Sequence, residues 1–262
     1  MDRVEVGGLR IAFERVGRGP ALILLHGGLS DHREWRAQLE GLSDTCTVIA
    51  WDAPGCGGSD DPPESFRMPE YARSLAGFIE AVGVEAPAVI GLSWGAALAL
   101  ELYRLRPDVP HALILAAAYA GWAGSLPPDV VAKRLHDSLR DLATSPDALA
   151  QSFLPTLFTR RASDAMRDDL LQVMTEMRPA GARPMLHALA EADLRDVLPT
   201  IAVPTLLLYG AEDARSPLPV AEAMHASIPT ASLVVLPDVG HQSNVETPGP
   251  FNDAVRAFLS GL

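Results

Sequence analysis

A serine lies between two glycines in the segment Gly91-Leu92-Ser93-Trp94-Gly95, which matches the pattern G-x-S-x-G. A short apolar run precedes the segment and a helical pattern follows it, so Ser93 is predicted to lie on a sharp turn from strand to helix. Glycines on either side relieve the crowding of such a turn, and the first N–H groups of the helix point toward the hydroxyl. This arrangement suits a nucleophilic serine beside which negative charge develops.

A serine hydroxyl is a weak nucleophile at neutral pH and needs a base within hydrogen-bond reach, itself oriented by a third group. Among seven histidines we select His241, because it follows the last predicted strand at the edge of the sheet where the serine turn is expected. Asp213 is the predicted acid, since it follows the strand from Thr205 to Tyr209. Glu212 should point away from its neighbour, and Asp238 is too close in sequence to His241 to reach its far ring nitrogen easily.

A tetrahedral oxyanion needs two hydrogen-bond donors. The backbone N–H of Trp94 is expected to supply one. The second should come from the early loop Leu24-Leu25-His26-Gly27-Gly28-Leu29, whose glycines allow backbone N–H groups to approach a ligand closely. His26 is expected to brace this loop through hydrogen bonds of its ring.

The elements that position these residues alternate between strands and helices, which is typical of an α/β protein with a mostly parallel sheet and helices on both faces. A hairpin around Gly7-Gly8 is expected to join strands at Val4 to Val6 and Arg10 to Val16. Further strands are predicted at Ala21 to Leu25, Thr47 to Trp51, Ala88 to Gly91, Leu113 to Ala118, Thr205 to Tyr209 and Ser232 to Leu236. Helices are predicted near Ser30 to Leu42, from Pro69, at Trp94 to Leu105, and near Pro217 to Ala226 and Phe251 to Leu259.

Between the strands that end near residue 118 and begin at residue 205, the sequence shows helical patterns only. We therefore expect one core domain made of residues 1–120 and 199–262, with residues 121–198 inserted as a helical cap, or lid. Such a cap would exclude water from the serine and shape a pocket. Leu29, Tyr119 and Trp122 are candidate substrate-binding residues because of their positions alone.

Composition excludes several classes of function. The chain has 262 residues with 21 Lys and Arg against 33 Asp and Glu, a net charge of −12, which argues against binding nucleic acid. Two cysteines do not form a metal site or a disulfide framework, and no basic cluster is present to hold a phosphate. Neither a secretory signal nor an apolar run of about 18 residues is visible. We expect a cytoplasmic protein with a small-molecule substrate, no membrane contact, no cofactor and no metal; the oligomeric state stays open.

Several motifs together resemble the α/β-hydrolase superfamily, over essentially the whole chain. The segment from Trp51 to Ser59 is similar to the D-x-P-G-x-G-x-S loop of that superfamily, Leu208 to Asp213 to its acid loop, and Gly240-His241 with Glu246-Thr247-Pro248 to its histidine loop. The order serine, acid, histidine also agrees. The resemblance implies an α/β-hydrolase fold with a mostly parallel central sheet and a helical cap insertion.

The resemblance further implies roles for individual residues. Ser93 would be the nucleophile, His241 the general base and acid, and Asp213 its orienting partner. Gly28 and Trp94 would donate to the oxyanion, with Leu29 as the alternative to Gly28.

These roles predict a cofactor-free serine hydrolase that cleaves a small, mostly uncharged ester, lactone, thioester or methyl ester through an acyl-enzyme. Serine at position 93 excludes the attacking carboxylate that some members of the superfamily use. The same triad could instead cleave a carbon–carbon bond of a diketone or transfer an acyl group to peroxide. A ligand-binding receptor on this fold is the alternative from a different class.

Overall fold

A single eight-stranded sheet forms the centre of the protein in the computed structural model, which describes all 262 residues. Its strands are β1 Asp2–Val6, β2 Leu9–Val16, β3 Ala21–Leu25, β4 Thr47–Trp51, β5 Ala88–Leu92, β6 Ala112–Ala116, β7 Thr205–Gly210 and β8 Ala231–Leu236. They lie in the order β1-β2-β4-β3-β5-β6-β7-β8. β2 is antiparallel to both of its neighbours, and all other pairs are parallel. The predicted hairpin and mostly parallel sheet are confirmed.

Helices cover both faces of this sheet. They are α1 Arg36–Leu42, α2 Met68–Ala81, α3 Trp94–Leu105, α4 Trp122–Ser125, α5 Pro128–Thr144, α6 Pro146–Phe153, α7 Asp164–Thr175, α8 Pro179–Glu191, α9 Leu218–Ser227, α10 Ser243–Glu246 and α11 Pro248–Leu259. No helix has both the length and the apolar character needed to cross a bilayer.

The central strands are buried on both faces, as their continuous apolar sequences predict. Successive side chains of a strand point to opposite faces, so Val89 of β5 packs in one hydrophobic cluster and Ile90 in the other. The first cluster includes Leu98 of α3, and the second includes Phe251 of α11. Burying each such side chain contributes about 1.5–3 kcal/mol, so the two clusters hold the parallel strands in register.

The segment that begins at Ser30 differs from the single helix predicted there. The Asp31 carboxylate accepts the N–H of Arg33 at 3.0 Å and caps a 3-10 turn, His32–Trp35, which then continues into α1. Strand β6 also ends two residues earlier than expected, because Ala117 has a φ of 46°. A positive φ turns the chain out of the extended conformation.

Residues 121–198, which we name the cap segment, contain helices α4 to α8 and no strand. Three of these helices, α5, α6 and α8, have proline at their first position, where the missing N–H has no intrahelical partner to lose. We propose that the cap segment covers the carboxyl edge of the sheet, while residues 1–120 and 199–262 form the core domain.

Candidate active site

Ser93 lies at the junction of β5 and α3, with φ of 54° and ψ of −106°. Such a conformation costs a residue other than glycine about 1–3 kcal/mol, so contacts with the surrounding structure must hold Ser93 in place. The Ser93 N–H donates to the Ala116 carbonyl on β6 at 2.8 Å, and its own carbonyl accepts the N–H groups of Ala96 and Ala97 at 3.1 Å each. The predicted sharp turn is confirmed.

The glycines of this turn are required by close approach of the backbone. A Cβ atom at Gly91 would lie 2.3 Å from the backbone of Gly95, and one at Gly95 would lie 2.2 Å from the Leu25 carbonyl oxygen. Neither position has room for a methyl group. The turn therefore packs directly against the end of β3, where the early glycine loop begins.

His241 and Asp213 lie together, each in the loop after a parallel strand. His241 Nδ1 is 2.8 Å from Asp213 Oδ2, and both side chains are buried. Since a carboxylate oxygen accepts hydrogen bonds, Nδ1 is the ring nitrogen that donates here, and in the neutral ring this tautomer leaves the lone pair on Nε2. The other oxygen, Asp213 Oδ1, accepts the N–H groups of Arg215 and Ser216 at 2.8 Å each, which fixes the carboxylate.

The two rival acids lie elsewhere. Glu212 is exposed, and Asp238 forms a surface ion pair with Arg161 at 2.5 Å. The structure thus brings Asp213, rather than either neighbour, to the histidine.

Ser93 and His241 line one cavity but form no hydrogen bond with each other. Such a bond between nucleophile and base is often long or poorly aligned in a free enzyme and tightens when substrate binds. Ser93 is 8% exposed, so its hydroxyl is reached through this cavity.

Of the N–H groups of Gly27, Gly28 and Leu29 in the early loop, only that of Gly28 has no acceptor within the protein. The Gly27 N–H donates to Glu34 Oε2 at 2.6 Å, and the Leu29 N–H donates to Met185 Sδ at 3.3 Å. The Trp94 N–H, first in α3, also has no acceptor. A Cβ at Gly28 would lie 3.5 Å from Trp94 Cβ, so the two donors are on adjoining segments.

His26 braces the early loop, as expected. Its Nε2 accepts the Ala53 N–H at 3.1 Å, so Nδ1 carries the proton and donates to the Gly27 carbonyl at 2.7 Å. Burial lowers the pKa of His26, which agrees with a neutral ring.

Glu34 is a residue of the site that sequence reasoning missed. Its Oε2 accepts the Gly27 N–H, and its Oε1 accepts the side-chain amide of Gln242 at 2.7 Å. It therefore joins the early loop to the residue that follows His241. Burial raises the pKa of Glu34 to about 7.

The cavity has a volume of about 30 Å³ in the free protein, close to the space of one water molecule, so side chains of its wall must move when a substrate enters. Apolar side chains form much of its wall, among them Leu29, Trp122, Phe153, Leu157, Met185 and Leu186. Leu29 and Trp122, two of the three candidate substrate-binding residues, are part of this wall. Tyr119 does not line the cavity, because its hydroxyl donates to the Arg215 carbonyl. Arg215 itself does line it and was not anticipated.

One group of side chains has the composition of a metal site: Asp31, His32 and Asp52. These residues already satisfy one another and their neighbours. Asp52 Oδ1 lies 2.7 Å from His32 Nδ1, Asp52 Oδ2 accepts the Gly58 N–H, and Asp31 pairs with Arg33. The group acts as a brace for the surrounding loops.

The order of the strands, together with a strained serine turn after β5, defines the class of proteins with an α/β-hydrolase fold. The model of the alpha/beta hydrolase family matches residues 22–254, and the chain belongs to this family. The family and fold inferred from the sequence are therefore confirmed.

Individual relatives extend over nearly the whole chain. A pimeloyl-[acyl-carrier protein] methyl ester esterase of Aeromonas hydrophila is 29% identical over 269 residues, covering 96% of this chain and 100% of that one. A thermophilic esterase from Thermogutta terrifontis, solved with malate bound, is 31% identical with a TM-score of 0.92 and covers 100% and 99% of the two chains. A hydrolase from Pseudomonas aeruginosa is 28% identical with a TM-score of 0.89, covering 98% and 97%.

Proposed function

We propose that this protein is a serine hydrolase that cleaves a small carboxylic ester through an acyl-enzyme. The observation that carries the proposal is the buried pair of His241 and Asp213 in a cavity that Ser93 also lines. Two esterases with 29% and 31% identity support the choice of an ester as substrate. The mainly apolar wall supports a substrate that is largely uncharged around the scissile bond.

In the proposed reaction, Ser93 Oγ bonds to the ester carbonyl carbon while His241 Nε2 takes the hydroxyl proton. The oxyanion accepts hydrogen bonds from the N–H groups of Gly28 and Trp94, each worth roughly 3–4 kcal/mol in comparable enzymes. His241 then gives its proton to the leaving alcohol as the carbon–oxygen bond breaks. Water, deprotonated by the same nitrogen, releases the acid and restores Ser93.

Labelling with a fluorophosphonate, followed by a p-nitrophenyl acetate assay, tests this proposal. We expect the wild-type protein to be labelled once, at Ser93, and to release a burst of p-nitrophenol followed by steady turnover. The Ser93→Ala variant should fold normally but should be neither labelled by the fluorophosphonate nor able to hydrolyse the ester. Undiminished turnover in this variant would refute the assignment of the nucleophile, and a burst without a steady phase would favour a receptor.

A lactone, thioester or methyl ester belongs to the same reaction class. Competition of these compounds with the fluorophosphonate label ranks their affinities for the site. Adding a diketone to the assay tests carbon–carbon bond cleavage, and adding hydrogen peroxide tests acyl transfer to peroxide.

A further inference from the structure

Arg215 is the only lysine or arginine on the wall of the cavity that contains Ser93. It lies two residues after Asp213, and its backbone N–H donates to that carboxylate. The Arg215 guanidinium carbon is 4.2 Å from the centre of the Phe153 ring, and Nη1 donates to Thr156 Oγ1 at 3.0 Å. These contacts hold the guanidinium in a defined place between the acid loop and the cap segment.

This guanidinium has no counter-ion. No carboxylate lies within 4.0 Å of it, since Asp213 uses its two oxygens for His241 and for backbone N–H groups. The remaining guanidinium nitrogens have no protein acceptor, and none of them is enclosed by protein. Burial is the main reason that the pKa of Arg215 is lowered; the nearby charge of Arg134 lowers it as well, whereas Tyr119 and Asp213 act in the opposite direction. An anion that reached these nitrogens would offset the cost of burying the guanidinium charge.

We infer that Arg215 receives a carboxylate carried by the substrate, so that the enzyme prefers esters with a short apolar stem ending in a carboxylate. The planar fork of a guanidinium binds a carboxylate through two parallel hydrogen bonds, which gives orientation as well as affinity. The apolar side chains of Leu29, Trp122 and Leu157 would face the stem. This inference rests on the proposed function and narrows it, because it adds one anionic group to an otherwise uncharged ester.

Pairs of esters that differ only by a terminal carboxylate in place of a methyl group test the inference. Monoethyl adipate is compared with ethyl hexanoate for a carboxylate on the acyl side. The butanoate ester of γ-hydroxybutanoate is compared with butyl butanoate for the alcohol side. In at least one pair, we expect kcat/KM for the anionic member to be higher by about tenfold or more, the effect of one charge-assisted contact.

Substitution separates recognition from structural support. Arg215→Met keeps the length of the side chain and should lower the ratio of kcat/KM for the preferred anionic ester to kcat/KM for its neutral partner about tenfold or more. Arg215→Lys should retain part of the preference. Arg167→Met is the matched control, because Arg167 also stacks on a phenylalanine, Phe158, has no carboxylate partner, and does not line the cavity.

Calorimetry on the Ser93→Ala protein gives a readout without turnover. Monoethyl adipate and the butanoate ester of γ-hydroxybutanoate are the probes, and at least one should bind and lose its binding when Arg215→Met is added. Equal losses for both members of a pair, no preference for the anionic member, or no binding to Ser93→Ala would overturn the inference. Absence of turnover with every ester, accompanied by binding that depends on Arg215, would instead overturn the proposed function alone.

Discussion

At residue 95, the carbonyl oxygens of Leu25 and His26 occupy the space that a Cβ would need, at 2.2 and 2.7 Å. Gly95→Ala must therefore push the serine turn away from the early loop. We expect it to lower the free energy of unfolding by about 1–3 kcal/mol or more and to reduce esterase activity. Urea denaturation measures the first effect. Gly249→Ala is the control, since a Cβ there meets no atom within 4 Å; equal stability of the two variants would contradict this packing argument.

The two oxygens of the Asp213 carboxylate accept hydrogen bonds from three donors. These donors are the ring of His241 and two backbone N–H groups. An asparagine has only one oxygen and presents N–H groups in place of the other, so His241 would lose its acceptor or change tautomer. Asp213→Asn should lower kcat by roughly 10⁴-fold with little change in fold. Glu212→Gln, at the exposed neighbouring position, should retain activity. If both variants lost the same activity, Asp213 would not be the orienting acid.

At the scale of elements, α10 ties the loop before His241 to the cap segment. Glu246 of α10 is buried, and its carboxylate accepts the Gly240 N–H at 2.9 Å and the Thr159 N–H at 3.1 Å. The Leu157 carbonyl also accepts the Gln242 N–H at 3.0 Å. The cap segment is therefore anchored to the same loop that carries the histidine.

Removing this anchor should loosen both elements together. Glu246→Ala leaves two N–H groups without an acceptor, and each costs about 1–3 kcal/mol where it stays buried. We expect a lower urea midpoint and a lower kcat/KM for an activated ester, because the position of His241 becomes less defined. Glu222→Ala, at an exposed position of α9, is the control. A Glu246→Ala protein that unfolds at the same urea concentration as this control would show that the anchor is not needed.

At the scale of the whole molecule, Glu34 joins parts of the chain that are 208 residues apart. Burial raises its pKa from the ordinary 4.5 to about 7, so the folded protein holds this proton more tightly than the unfolded chain does. The stability that the protonated form contributes is complete below pH 4.5 and is lost as the pH rises to about 7. Each pH unit between these values is worth about 1.4 kcal/mol, which gives a loss on the order of 3 kcal/mol.

Glu34→Gln cannot ionise and should therefore show a flatter dependence of unfolding free energy on pH between 4.5 and about 7. Denaturant unfolding at several pH values measures the slope. Glu40→Gln, at an exposed position of α1, should keep the slope of the wild type. Parallel curves for wild type and Glu34→Gln would mean that other groups cause the dependence.

Local sequence patterns predicted much of the fold because the spacing of apolar residues follows the geometry of strands and helices. Buried strands such as Ala88–Leu92 have continuous apolar sequences, and the G-x-S-x-G segment combines the residue types that a strand-to-helix turn needs. The ends of elements were less certain, as at Ala117, because a positive φ in a residue other than glycine leaves no local signal.

The sequence by itself determined the alternation of strands and helices, the serine turn, and the order in which Ser93, Asp213 and His241 follow their strands. Only the tertiary structure decided the parts played by Glu34 and Arg215. Charged side chains such as these are expected at exposed positions, and whether one is buried or paired depends on segments far along the chain. Glu34 meets Gln242, whereas Arg215 meets Phe153 and no carboxylate. The charge within a cavity therefore depends on which distant side chains meet there. The local periodicity of the sequence does not contain this information.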